Sequence, residues 1–549
     1  MRRFAALGTI LLTLGCACGR APRDAPRALL LIVIDTLRGD RPGYAGYASA
    51  KTPTLDSLVA AGTVFADAMT PAPLTLPAVT SLLTGRLPYH HGVRDNDRFA
   101  LDSTEVTLPE RFLTAGFRTG AVLGSAVLAA DRGLAQGFES YDDHFASPYP
   151  VYNRIHEPIA DRLATSERRA DRVTDLALAQ AASFGDAPFF LLVHYFDPHM
   201  FYDPPPEFEA LHPDRPYDGE ISFVDSEIGR LIRRLNRKDA LVVVVSDHGE
   251  SLDEHGEPQH GFLLYQSTLH VPVIVAGPGV PAGLVRKDLV SLVDLEPTLG
   301  HVFDLPKDGK ERDGRVLDWN RPETGETPQY AEAFHPLVSY GWAPLRAIRK
   351  GSLKLISGAG EEEHYDVVAD PAEVHQLDEG GQRDELDRRL QQIAKQDDPE
   401  AVLNRALNRD PDRTVVLRGL GYLGGYVPQG SDAPAARPHP KVALPRWLRT
   451  QEAKSLSKEA YALLESEKPA EAIPLLTQAL ALDSTLADVW YLRGYAHTQS
   501  GDPAAARRDL RRSLELDPKH KGSSQEMDYL NRQGSRRKPS LRDTSLEHP

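Results

Sequence analysis

The sequence predicts a doubly wound, mostly parallel α/β sheet, with a small antiparallel subdomain and helical hairpins after it. Three observations carry that reading. Unbroken apolar runs recur through the first half, the pattern of strands buried on both faces. Stretches with helical spacing separate them, as right-handed crossovers require. Near the C-terminus, Ala472, Leu476, Leu480, Leu482 and Asp483 recur as Ala506, Leu510, Leu514, Leu516 and Asp517, each 34 residues later.

The elements follow in order. Leu29-Leu30-Leu31-Ile32-Val33-Ile34 is a buried strand, and Asp35 falls at its C-terminal end, where open α/β sheets place their ligand crevice. Thr107 to Ala115 is a helix and Arg118 to Leu123 a second strand. Ala170 to Phe184 is helical, and Phe189 to Tyr195 is a third strand that runs into Asp197-Pro198-His199. An amphipathic helix over Ile221 to Leu235 leads to Leu241 to Val245, the clearest strand, and then to Ser246-Asp247-His248-Gly249-Glu250. Val271 to Ala276 is a further strand. Short strands at Tyr330 to Glu332, Leu345 to Arg349 and Leu353 to Ile356, with glycine-rich turns, make the antiparallel appendage. Gly425 to Pro445, rich in Pro, Gly and Ala, reads as a linker. The 34-residue period, with Trp490, Gly494 and Pro518 at fitting positions, resembles a tetratricopeptide (TPR) helix pair, an expected docking surface for a protein partner or for the rest of the chain.

The chain has 549 residues, 41% hydrophobic and 26% charged, with a formal net charge of −15. That acidity argues against nucleic acid as a partner. Both cysteines, Cys16 and Cys18, lie at the N-terminus, so the folded body carries no disulfide and no thiolate metal site. Met1-Arg2-Arg3, the apolar run Phe4 to Leu14 and Gly15-Cys16 read as a secretory signal, too short in its core to span a bilayer. Cys16 resembles a bacterial lipoprotein cysteine, with Thr13 where leucine is usual; a plain cleaved signal, or modification at Cys18, are the alternatives. The expected product is exported to the periplasm or cell envelope and held on the membrane by a lipid anchor. The expected boundaries are a signal over 1–15, a tether over 16–26 and a catalytic domain over 27–385. A helical extension and linker follow over 386–450, then repeats over 451–520 and a disordered tail over 521–549.

The chemistry centres on Pro73-Leu74-Thr75-Leu76-Pro77. Proline is tolerated only in the first turn of a helix, so a helix should start near Leu76 and run to Leu83, with Gly85 as its stop. Thr75 then sits at a helix N-terminus, where unpaired amides favour an anion. An isolated threonine there would be only a cap. Strand ends, however, deliver Asp35, Asp197 with His199, and Asp247 with His248 to the same sheet edge. Two carboxylates and an imidazole make a divalent-metal site, and a metal beside Thr75 would activate its hydroxyl. His199 or His260 is placed to protonate a leaving group.

Several motifs carry a family resemblance. They are Ile34-Asp35, the Leu-Thr-Gly helix after Thr75, His91-Gly92-Val93-Arg94-Asp95-Asn96, Asp197-Pro198-His199 with Tyr202, Ser246 to Glu250, Glu254-His255-Gly256, and Val271-Pro272-Val273-Ile274. Together, from about Arg27 to about Leu377, they resemble the sulfatase branch of the alkaline phosphatase superfamily. The resemblance implies that Asp35, Asp247 and His248 bind a metal touched by the nucleophile Thr75. It also implies that Asn96, His199 and His260 meet the ester oxygens or leaving group, with Arg94 beside them.

The departures narrow the chemistry. Formylglycine sulfatases carry Cys/Ser-x-Pro-x-Arg; here the positions hold Thr75, Pro77 and Val79, so no formylglycine is expected. The second of the paired aspartates is Thr36, and Gly120 to Val127 lacks the lysine and histidine that would grip sulfate. A threonine nucleophile resembles the phosphodiesterase and phosphoethanolamine-transferase branches, which implies zinc or manganese ahead of calcium or magnesium. The expectation is a metal-dependent hydrolase of a sulfate or phosphate ester, the phosphodiester favoured. The rivals are a phosphoryl transferase of the same fold and a degenerate scaffold that works through its repeats. His194 reads as a packed histidine.

Overall fold

The computed structural model describes residues 25–145, 167–321, 327–378, 383–407 and 437–532. The expected signal, the Cys16 lipidation site, most of the linker and the tail beyond 532 lie outside those residues.

The first strand, β1 (Ala28–Ile34), is buried at all seven positions because it is apolar on both faces. After it come β2 (Thr63–Met69), β3 (Arg118–Val122), β4 (Ser140–Asp142), β5 (Phe189–Tyr195), β6 (Ala240–Ser246), β7 (His270–Ala276), β8 (Leu284–Arg286) and β9 (Val290–Ser291). They form one sheet in the order β4-β3-β5-β1-β6-β7-β2-β8, with β9 beside β2. β1 pairs in parallel with β5 and β6, Ile34 lying opposite both Tyr195 and Ser246. This register brings the next residues of all three strands out at one edge.

Alternation along β1 divides its side chains between two cores. Leu29, Leu31 and Val33 enter one, and Ala28, Leu30, Ile32 and Ile34 the other. Burying each large aliphatic side chain is worth about 1.5–3 kcal/mol, so the sheet centre is the stable frame for the edge. Helices cover both faces, as expected. Ala170–Phe184 forms as read from the sequence, and the amphipathic helix starts earlier than expected, at Pro216, and ends at Leu235.

The sheet departs from the sequence reading in the unread strands β2, β4, β8 and β9 and in the direction of one strand. β7 runs antiparallel to both β6 and β2. β2 itself has no counterpart in the sequence reading, because Asp67 interrupts its pattern. That carboxylate leaves the sheet to take both terminal nitrogens of Arg349 at 2.6 Å.

The antiparallel appendage is present. Strands β10 (Gln329–Ala333), β11 (Leu345–Lys350), β12 (Leu353–Gly358) and β13 (Glu361–Asp366) form a four-stranded meander in sequence order.

The helices from Pro440 onward form a separate compact unit. Helices Pro440–Glu465, Pro469–Leu482, Ala487–Gln499, Pro503–Leu516 and Lys521–Asn531 bury a core that includes Ala472, Leu476, Leu492 and Leu510. Gly494 is required there, since a Cβ would lie 2.9 Å from the Leu510 side chain. Two boundaries need correction. The expected linker to residue 450 already turns helical at Pro440, because a proline is accepted in a first turn. The expected disorder from 521 is instead a helix to Asn531, whose Leu530 packs into the same core.

Candidate active site

Helix α1 (Pro53–Ala61) braces the back of the sheet; α2 (Thr75–Thr84) carries the nucleophile candidate. α2 is buried at every position and ends at Gly85, whose left-handed φ of 67° suits glycine. Thr75 is its first residue, and Pro77 falls within the first turn, as the sequence required. No side chain caps the helix from its own N-cap position. The cap comes from elsewhere: the N–H of Leu76 donates to Asn96 Oδ1 at 2.8 Å.

Asp35, Asp247 and His248 present ligand atoms all within 4.8 Å of one another, and all three are fully buried. Each has one polar atom engaged and another turned inward. Asp35 Oδ2 accepts from the Thr75 hydroxyl at 3.3 Å, while its Oδ1 has no hydrogen-bond partner. Asp247 Oδ1 accepts from its neighbour His248 N at 2.8 Å and from Thr36 N at 3.3 Å, while its Oδ2 has none. His248 Nδ1 lies 3.0 Å from the Gly249 carbonyl, which suits a proton on Nδ1 and a lone pair on Nε2. That Nε2 is 3.3 Å from Thr75 Oγ1, 3.6 Å from Asp35 Oδ1 and 3.5 Å from Asp247 Oδ2.

The electrostatics of this cluster call for a cation. Burial, and then the Asp247 charge, push the Asp35 carboxyl well above its usual range. Burial works against a charged His248, yet Asp247 and Asp35 more than offset it and hold its pKa above the ordinary value. Two dry carboxylates with orphaned oxygens around one imidazole lone pair fit a divalent metal, which would neutralise them.

His199 and His260 flank the cluster. The His260 ring is centred 4.3 Å from that of His248 and 5.2 Å from that of His199. Its Nδ1 lies 3.0 Å from Glu250 Oε1, and Glu250 Oε2 accepts from the Tyr202 hydroxyl at 3.0 Å. His199 Nδ1 is 2.6 Å from the Met200 carbonyl. Burial, followed by His260, drives His199 down to about 3; burial, followed by His248, drives His260 well below its usual value. Both are neutral imidazoles at pH 7.

Other expected site residues sit differently. Asp197 leaves the same edge but is not among the cluster's ligands; burial raises its carboxyl to about 6. Arg94, expected against the substrate, is only 4% exposed and is committed elsewhere. Its Nε pairs with Glu332, and its Nη1 and Nη2 lie 2.7 and 2.8 Å from Asp397. A guanidinium clamped by two carboxylates joins the appendage to the helix that precedes Asp397, so the substrate contact is withdrawn. Glu250 and His194 are neighbours of the site that sequence reasoning passed over. Glu250 stands two residues after His248 in the same motif and was legible there. His194 gave no signal, because its position inside an apolar run reads as packing.

A buried acid–imidazole cluster against a helix-borne threonine, at the carboxyl edge of a doubly wound sheet, is the arrangement of a metal-dependent ester hydrolase. The chain belongs to the sulfatase family: that family's model matches residues 27–305, and a tetratricopeptide-repeat model matches residues 463–523. Human arylsulfatase A is 27% identical over 414 residues, spanning 66% of this chain and 80% of that protein. The ulvan-active sulfatase of Formosa agariphila is 25% identical over 393 residues, spanning 64% and 76%. Among solved structures, a Bacteroides thetaiotaomicron protein described as a sulfatase superposes with a TM-score of 0.55 at 18% identity, over 71% of this chain and 96% of its own. The phosphonate monoester hydrolase of Agrobacterium radiobacter gives 0.53 at 20% identity, over 69% and 96%. Both structures share the fold. Among the described residues, no helix is long and apolar enough to cross a membrane.

Proposed function

We propose that this protein hydrolyses a phosphate ester, a phosphodiester ahead of a sulfate ester, through a covalent intermediate on Thr75. The observation that carries the reading is the position of Thr75 Oγ1, 3.3 Å from both Asp35 Oδ2 and His248 Nε2. A hydroxyl in that place lies against two of the three residues that would hold a metal.

Asp35, Asp247 and His248 would hold the cation, with zinc or manganese suited to two carboxylates and an imidazole. When bound, it would supply positive charge beside the hydroxyl and lower its pKa. The remaining work falls to the chain. Asp35 Oδ2 is positioned to receive the Thr75 proton as Oγ1 attacks the ester. Asn96 has Oδ1 spent on the helix and Nδ2 without a hydrogen-bond partner, leaving that amide to donate to a non-bridging oxygen. Burial raises the Glu250 carboxyl to about 7. A protonated Glu250 would donate to His260 Nδ1, leaving the one ring proton on Nε2 to pass to the leaving oxygen while Nδ1 takes the Glu250 proton, with His199 beside it.

Phosphate is preferred because Thr75 stands where formylglycine sulfatases carry Cys or Ser, and because Gly120 to Val127 lacks the lysine and histidine that would grip sulfate. The signal and Cys16 would place the enzyme on the outer side of a membrane, with the repeat unit as the site for a protein partner.

The test is turnover of a phosphodiester, a phosphomonoester and an aryl sulfate by metal-loaded protein, beside Thr75→Ala. The expected result is phosphate-ester turnover that disappears in the variant while metal binding remains. Thr75-dependent turnover of the aryl sulfate alone would overturn the phosphate preference. Metal binding without turnover of any of the three would point to transfer onto an acceptor alcohol.

A further inference from the structure

We infer that His194 is a positioning residue for the metal site, donating from Nε2 to Asp35 Oδ2 and thereby turning Asp35 Oδ1 toward the cation. The inference rests on the reading of Asp35, Asp247 and His248 as ligands.

The first argument is place. His194 lies on β5 opposite Val33, and Val33 also lies opposite Val245 on β6. Asp35 and Asp247 are each two residues further along those neighbouring strands. Side chains two apart share a face of the sheet, so His194 belongs to the floor directly beneath the two carboxylates. Its strand neighbours Phe190, Leu192 and Phe196, together with Val33 and Val245, are all in the core on that face.

The second argument is polarity. His194 is 0% exposed, and neither ring nitrogen has a hydrogen-bond partner. An unpaired imidazole in an apolar floor is destabilising, so a histidine there needs a reason that leucine would not. Its nearest charged atom supplies one: Nε2 lies 3.4 Å from Asp35 Oδ2. A neutral imidazole has one N–H to give, and Asp35 Oδ2 is the carboxylate oxygen that Nε2 faces. An ionised Asp35 is the better acceptor, and a charge-assisted bond to it is shorter and roughly twice as strong as a neutral one.

The third argument is need. Thr36 stands where the resembling family has a second aspartate, and its hydroxyl is turned away, donating to the Pro198 carbonyl at 3.0 Å. The site therefore leans on Asp35 more heavily than a site with three carboxylates would. Asp35 Oδ2 is also shared with the Thr75 hydroxyl. A second donor on that oxygen fixes the rotation of the carboxylate, and with it the direction of Oδ1.

The test compares wild type, His194→Leu and His194→Gln in the full chain. The readouts are zinc and manganese affinity by chelator competition and thermal melting in EDTA. His194→Leu is expected to lose roughly 10–100-fold in metal affinity, the usual effect of removing a partner behind a ligand, while melting no lower than wild type in EDTA. His194→Gln keeps a donor of similar reach and is expected to recover most of the affinity. Equal affinity in wild type and His194→Leu, or equal losses in both variants, would overturn the inference and leave the metal site standing. A wild type that binds neither metal would overturn the site and the inference together. Should His194→Leu fail to fold, nitrogen NMR of histidine-labelled wild type decides. Metal loading is expected to move the Nε2–H proton of His194 downfield; a proton on Nδ1 instead would overturn the inference.

Discussion

The N–H of Thr36 donates to Asp247 Oδ1 at 3.3 Å, joining the ends of two neighbouring parallel strands that lie 211 residues apart in the chain. Thr36 adopts a left-handed φ of 55°, unusual for a β-branched residue, to bring that amide round. Its carbonyl accepts from the Tyr217 hydroxyl at 2.7 Å, which holds the turn from the other side. Thr36 thus orients the Asp247 carboxylate through its backbone while its hydroxyl points to the Pro198 carbonyl.

Thr36→Asp offers a third carboxylate at this turn, and aspartate tolerates the left-handed backbone better than threonine. Added oxygen and charge favour hard cations, so calcium and magnesium are expected to gain about tenfold against zinc. Competitive metal titration measures the ratio. An unchanged ratio would mean that side chain 36 does not face the cation.

Asn96 has two separable tasks. Asn96→Ala leaves the buried N–H of Leu76 unpaired, with an expected cost of about 1–3 kcal/mol in unfolding free energy and a loss of turnover. Asn96→Asp keeps the acceptor and removes the amide donor. It is expected to recover stability without recovering kcat. Denaturant unfolding beside steady-state kinetics separates the two; joint recovery would place Asn96 as a cap only.

Arg94 belongs to the framework. Removing one partner of a buried charge cluster strands the others, so Arg94→Met is expected to cost about 3–5 kcal/mol. The effect belongs in the melting temperature, with KM close to wild type in protein that remains folded. A raised KM in stably folded protein would return Arg94 to the substrate.

Asp225 gives the pH dependence a sign away from the metal site. Its carboxylate accepts from Leu55 N at 2.8 Å and from Thr54 N at 3.0 Å at the start of α1, yet burial dominates and raises it from 3.8 to about 6. A carboxyl raised on folding contributes stability that is full below pH 3.8 and is lost as pH rises through about 6. Asp225→Asn lacks this titration. The stability advantage of wild type over the variant should therefore shrink by ~3 kcal/mol between pH 3.5 and pH 7. Unfolding in EDTA at several pH values tests it, and a constant gap would refute it.

Five of the nine described strands of the main sheet, and where they end, were legible in the residues alone. An unbroken apolar run of five to seven residues, too short for a helix, is satisfied as a strand buried on both faces, and the acid that closes it then lies at the sheet edge. Asp35, Asp247 and His248 were legible for that reason. Thr75 was legible because Pro77 allows a helix to begin only just before it. The motifs around these residues named the family. The remaining features depend on contacts between segments distant in the chain. β2 joins the sheet because Asp67 has Arg349 to receive its charge. Arg94 faces Glu332 and Asp397 instead of a ligand, a choice set by carboxylates 238 and 303 residues away. The helix over Lys521–Asn531 forms because its Leu530 finds a core, although its polar composition reads as a tail. His194 in sequence is one polar letter in an apolar strand. The register of β5 against β1 puts it under Asp35, and burial without a hydrogen-bond partner then gives that position its chemical meaning.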